Sequence, residues 1–195
     1  MERASQVERK TRETEVVVRL ELDGSGQFEG ATGIGFLDHM LELFAKHGLL
    51  NLSVRASGDL HVDAHHTVED VGITLGEAIA RACGDKKGMV RYGSAMIPMD
   101  EALVLCAVDL SGRPYLSYGL DLPDAPLGTM ESALVEEFFR AVANNSLMTI
   151  HLHQFSGRNG HHIAEAAFKA FGRALDSATR IDPRITDVLS TKGVL

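Results

Sequence analysis

Positive charge is in short supply in this chain: 19 lysines and arginines face 27 aspartates and glutamates, giving a formal net charge of -8 and a pI near 5.5. A surface built for nucleic acid or an anionic membrane needs a broad basic face, so the balance argues against both partners. Any anionic ligand must meet a local cluster. Cysteine is scarcer still: Cys83 and Cys106 sit in apolar surroundings without CxxC spacing, which points to buried thiols rather than a disulfide or a metal pair. Long apolar runs are missing as well. The longest, Ala102 to Val108, is far too short to span a bilayer, and the charged opening MERASQVERKTRETE has no apolar segment of the signal-peptide kind. A cytoplasmic protein is expected. The sequence also lacks GxGxxG, GxxxxGKS and GxSxG, so dinucleotide binding, P-loop chemistry and serine hydrolysis lose their usual support.

What is present is written twice. With His65 placed on His161, HHTVEDVGITLGEAI aligns with HHIAEAAFKAFGRAL, the HHxxE signatures coincide, and Gly76 meets Gly172. Upstream, HMLELFAKHGLLNLSV lies over EFFRAVANNSLMTIHL, so both copies read helix, strand, helix behind a strand-rich stretch. The composition, 45% hydrophobic and 24% charged over 195 residues, suits one core or two small halves sharing one. The predicted fold class is α+β, with a first half-repeat over 1-88 and a second over 89-195. Their apolar helix faces pack together beneath two sheets, and the junction falls at GDKKGM around Lys86.

The doublets permit metal chemistry. On a helix, His65 and Glu69 share a face while His66 points about 100° away, and the same holds for His161, Glu165 and His162. The partial positive charge of a helix N-terminus disfavours imidazole protonation, as a metal ligand requires. A lone histidine is ordinarily a polar core or surface residue, and His47, His61, His151 and His153 read that way individually. Two HHxxE elements in register are better explained by coordination. Imidazole and carboxylate without thiolate suit Mn, Fe or Zn, with six-coordinate Mn favoured. The repeat also sets His39 opposite Glu137, both able to coordinate. Pseudo-symmetry then predicts two mixed sites: His65, Glu69, His162 and Glu137 at one, and His39, His66, His161 and Glu165 at the other. Asp70 has Ala166 as its counterpart and reads as a first-turn helix acid.

Lys169, by contrast, has Ile73 as its counterpart and breaks the symmetry. It lies about 6 Å past Glu165 and about 12 Å past His161 along a helix axis, at roughly 1.5 Å rise per residue. That separation suggests a ligand with a metal-seeking head and an anionic tail, although a single lysine is more often simply solvated. Arg91, Arg113 and the tail residues Ser190, Thr191 and Lys192 are further candidates for a phosphate clasp.

Five ordered motifs, GFLDHMLELFAKHG, DAHHTVEDVGITLGEAI, SGRPYL, GRNGHHIAEAAFKAFGRAL and STKGVL, together resemble the imidazoleglycerol-phosphate dehydratase family of histidine biosynthesis. The resemblance runs from RKTRETE to the last residue. It implies tandem halves like the second domain of ribosomal protein S5, with helices bundled between two β-sheets. It implies two Mn2+ ions per active site, sites built between subunits, and a homo-oligomer of 24 chains assembled from trimers. The family reaction removes water from D-erythro-imidazole-glycerol phosphate to give imidazole-acetol phosphate. The implied metal ligands are His39, His65, His66, Glu69, His161, His162 and Glu165, with Glu137 standing where relatives carry histidine in VEHFF. Substrate contacts fall on Glu13, His39, His47, His65, Glu69, Arg91, Arg113, His161, Lys169, Ser190, Thr191 and Lys192. Glu165, Glu13 and Glu69 are the candidate catalytic carboxylates. A metal store or sensor and a two-metal phosphohydrolase are the rival readings, and a small-molecule kinase is the weakest for want of a glycine-rich phosphate loop.

Overall fold

A computed structural model describes residues 3-195. The first half contains β1 (Ala4–Lys10), β2 (Thr14–Glu21), β3 (Phe28–Ala31), α1 (Gly35–Gly48), β4 (Asn51–Gly58) and α2 (His65–Cys83). The second repeats the order with β5 (Tyr92–Met99), β6 (Ala102–Asp109), β7 (Tyr115–Gly119), α3 (Leu134–Ser146), β8 (Thr149–Ser156) and α4 (Gly160–Thr179). Each half forms a four-stranded sheet, β1-β2-β4-β3 and β5-β6-β8-β7. In both, the third strand of the half pairs parallel to the fourth while the other pairings are antiparallel. The predicted α+β duplication is therefore the fold observed.

Alternation decides which sheet face is covered. In β2, Thr14, Val16, Val18 and Leu20 are buried while Glu15 and Arg19 are exposed; in β6, Ala102, Val104, Cys106 and Val108 point inward. The helices cover those faces and pack on one another across the halves: α1 against α4, and α2 against α3. Each HHxxE helix thus lies beside the first helix of the other half. Stacked Phe44 and Phe171, with centroids 5.0 Å apart, and Phe139 and Phe168, 4.9 Å apart, fill the space between.

Glycine sets both crossings. A Cβ on Gly172 would lie 2.5 Å from the Phe44 carbonyl oxygen, and one on Gly76 would lie 2.8 Å from that of Val142. Phe44 follows His39 by five residues as Val142 follows Glu137, and Gly172 follows Glu165 by seven as Gly76 follows Glu69. The two helix pairs are therefore in the same register. Both cysteines are free and buried; burial pushes the Cys83 thiol up to about 11 and raises that of Cys106 as well. Among the described residues no helix is long and apolar enough to cross a membrane.

Candidate active site

Asn159 caps α4 by accepting the His161 backbone N–H on its side-chain oxygen at 2.9 Å, which starts the helix at the doublet. One turn on, the Glu165 Oε1 lies 2.9 Å from His161 Nε2 and 3.2 Å from His39 Nε2 of α1. Its Oε2 accepts a 2.6 Å hydrogen bond from the Lys169 ammonium. Glu165 is only 7% exposed. Burial by itself raises the carboxyl, but hydrogen bonds from Lys169, His39 and His161 outweigh it and hold the group at about 2, against an ordinary 4.5. The carboxylate stays ionised at neutral pH.

Among the described residues, His39, His161 and Glu165 are the one group of three potential ligands whose atoms all lie within 4.8 Å of one another. Donors bound cis to one ion at about 2.1 Å lie about 3 Å apart. The two nitrogen-to-oxygen separations match that spacing, so the trio fits a divalent cation of mixed nitrogen and oxygen preference.

The helix register places Glu137 of α3 beside His65 and Glu69 of α2 as His39 stands beside His161 and Glu165. Their ligand atoms do not converge in the same way. Among the described residues no hydrogen bond or ion pair joins Glu137 to His65 or Glu69; Glu137 lies instead 3.9 Å from Arg140. The second imidazole of each doublet faces elsewhere. His66 Nδ1 lies 3.0 Å from Asp59 and 3.8 Å from Glu13, and His162 Nδ1 lies 2.7 Å from Glu101. The hydrogen bond that His66 donates to Asp59 raises its pKa, and the one that His162 donates to Glu101 raises that of His162. The expectation that helix N-termini would disfavour protonation of these rings is corrected: an adjacent carboxylate outweighs a terminal partial charge. Within one chain, three members of the predicted set His39, His66, His161 and Glu165 meet, while His66 and His162 stand apart on hairpin and loop acids.

Asp70 also departs from expectation. It is buried beyond the first turn of α2, accepts a 2.7 Å bond from Arg9 Nε and another from the Thr14 hydroxyl, and so ties the β1-β2 hairpin to the helix. That hairpin carries the exposed Glu13. Glu101 was not anticipated from sequence, although it immediately precedes β6 as Glu13 precedes β2.

Lys169 does not extend away from the ligand cluster; its flexible stem folds back onto Glu165, with its ammonium 3.3 Å from the Met99 sulfur. The partly buried His47 faces this region, and burial, with the Lys169 and Arg173 charges, lowers its pKa. The other cations gather elsewhere. Arg91 grips Asp109 through two nitrogens at 2.7 and 3.1 Å and donates to the Leu189 carbonyl at 2.7 Å, holding the tail next to Ser190. Lys192 N–H donates to Ser190 Oγ at 3.2 Å, while Thr191 and the Lys192 side chain are exposed. A Cβ on Gly112 would lie 2.8 Å from the Leu195 carbonyl carbon, which brings the exposed Arg113 to the same tail. No hydrogen bond or ion pair among the described residues joins this group to Glu165.

The family model for imidazoleglycerol-phosphate dehydratase matches residues 32-175. Relatives of that name include the protein of Acetivibrio thermocellus, 61% identical over 195 residues, and that of Moorella thermoacetica, 57% identical over the same length, each covering 100% of both chains. The crystal structure of the Staphylococcus aureus imidazoleglycerol-phosphate dehydratase is similar with a TM-score of 0.83 and 43% identity, covering 92% of this chain and 99% of that one. The Pyrococcus furiosus structure gives 0.84 and 41%, covering 97% and 100%. With the repeat, the helix exchange and these full-length likenesses in hand, the chain belongs to the imidazoleglycerol-phosphate dehydratase family.

Proposed function

We propose that this protein removes water from imidazoleglycerol phosphate to give imidazole-acetol phosphate, using two manganese ions per active site. The observation that carries the reading is the meeting of His39, His161 and Glu165 from opposite halves, a built set of donors at ligand spacing. These three would hold one ion, and His65, Glu69 and Glu137 the other. His66 and His162 turn away from their own chain's clusters, which supports their completing sites in neighbouring subunits of a 24-chain assembly. When bound, the ions supply Lewis acidity and a template for the imidazole ring.

The reaction is hard because the carbon that loses its proton has no adjacent carbonyl to acidify it. A base takes that proton, the C–H electrons form a double bond, the neighbouring hydroxyl receives a proton back from the protonated base and leaves as water, and the enol becomes the ketone. Glu13 is exposed, sits at a hairpin turn braced by the Arg9–Asp70 pair, and has its carboxylate 3.8 Å from His66. It is the better placed base. Glu165, held ionised by Lys169, is a weak proton acceptor in this state and serves as a ligand beside His39 and His161. Glu69 serves as a ligand. Arg91, Arg113, Ser190, Thr191 and Lys192 gather at the tail, where they would take the phosphate.

The test is to incubate manganese-loaded protein with imidazoleglycerol phosphate and follow ketone and free phosphate together. Chelator-sensitive ketone without phosphate release is expected. Phosphate release without ketone overturns the reading in favour of a phosphohydrolase, and neither product points to a metal store.

A further inference from the structure

We infer that Glu101 is a positioning residue for His162, fixing its ring so that Nε2 is presented as a metal ligand; this rests on the metal-binding reading above. Glu101 stands at the turn between β5 and β6. Its Oε2 lies 2.7 Å from His162 Nδ1, while its Oε1 accepts the backbone N–H groups of Arg158 at 3.2 Å and Asn159 at 2.9 Å. Its carbonyl accepts the Ser156 hydroxyl at 3.0 Å. One acid therefore joins the hairpin, the end of β8 and the start of α4 to the imidazole. A carboxylate accepts hydrogen bonds only, so the proton between it and the ring belongs on Nδ1, and Nε2, 3.9 Å from the Asp100 carboxylate, keeps its lone pair for a cation.

The repeat sharpens the assignment. In the first half, Asp59 takes both contacts to His66 Nδ1, at 3.0 and 3.2 Å, and Glu13, the counterpart of Glu101, stays at 3.8 Å. No backbone N–H is bonded to the Glu13 carboxylate among the described residues. The duplicated hairpin acid has thus divided its labour. The second-half copy is locked in place to orient a ligand, and the first-half copy is left available to substrate.

The experiment titrates the full-length assembled protein with Mn2+, reading free Mn2+ by electron paramagnetic resonance. Glu101→Gln presents an amide N–H to Nδ1, which moves the ring proton to Nε2. The tightness of the affected site should fall by about 10- to 100-fold, with Glu101→Asp retaining more affinity than Glu101→Gln. In a His162→Gln background, Glu101→Gln should cause no further loss, because its effect passes through that ring. A purely structural role would lower affinity equally in both backgrounds, and that result overturns the inference, as does unchanged affinity in the single variant. Glu13→Gln should keep Mn2+ affinity and lose turnover; an affinity loss equal to that of Glu101→Gln overturns the division of labour. A wild-type protein that binds no Mn2+ overturns the parent reading instead.

Discussion

Lys169 and Glu165 form a 2.6 Å ion pair one helical turn apart, with side chains only 13% and 9% exposed. Removing either partner leaves a charge in a poorly solvated place, so Lys169→Met should destabilise the metal-free protein by about 1–3 kcal/mol. Differential scanning calorimetry with chelator present checks this. An unchanged midpoint would mean that the pair is fully replaced by water.

The same carboxylate gives a pH dependence. Its folded value of about 2 lies below the ordinary 4.5, so the stability it contributes is complete above 4.5 and is lost as pH falls toward 2. Thermal midpoints of metal-free wild type and Glu165→Gln should therefore converge as pH drops through that window. Curves that stay parallel would remove Glu165 as the source.

His66 and His162 work in the opposite direction. Their values are raised above 6.5 by Asp59 and Glu101, so the protonated rings stabilise the metal-free fold below 6.5, and that contribution disappears as pH rises through the raised values. A bound ion needs neutral rings. Calorimetric Mn2+ titrations in buffers of different ionisation enthalpy should show proton release at pH 6.5 and little at pH 9.

Glu137 holds the repeat position of His39, so the second ion site proposed for His65, Glu69 and Glu137 would be richer in oxygen donors than the first. Glu137→His should raise zinc affinity relative to manganese at that cluster by about tenfold or more, since imidazole suits zinc better. Competition between the two metals, followed by elemental analysis, measures the ratio. An unchanged ratio would show that Glu137 is not a ligand.

Gly172→Ala should separate α1 from α4, because its Cβ would fall 2.5 Å from a backbone oxygen that cannot move cheaply. A cost of about 1–3 kcal/mol is expected, together with weaker metal binding by His39, His161 and Glu165. Gly76→Ala should leave that trio intact and disturb the α2-α3 side.

The duplication was legible because chemically demanding residues recur in register: two HHxxE signatures and two glycines seven residues beyond their glutamates. The exchange of helices between halves was legible only through the ligand pairings, which set His39 with His161 and Glu165, and Glu137 with His65 and Glu69. Periodicity shows which face of a helix is apolar but not which neighbour covers it. Lys169 was placed by helix rise, which locates its Cα; rotations of its long stem decide where the ammonium rests. Asp70 looked like a helix-end acid because nothing local reveals that Arg9 and Thr14, sixty-one and fifty-six residues away in sequence, converge on it. Glu101 escaped notice because one acid in a hairpin turn is commonplace until the histidine beside it is known.

Because α1 lies on α4 and α2 on α3, what unites the two sheets is a shared interior and not the peptide bonds near Gly84 and Gly88. A chain cut there should still reconstitute from its two fragments when they are refolded together, whereas either fragment by itself would leave the greasy sides of two helices wet. Each half is the other's missing layer.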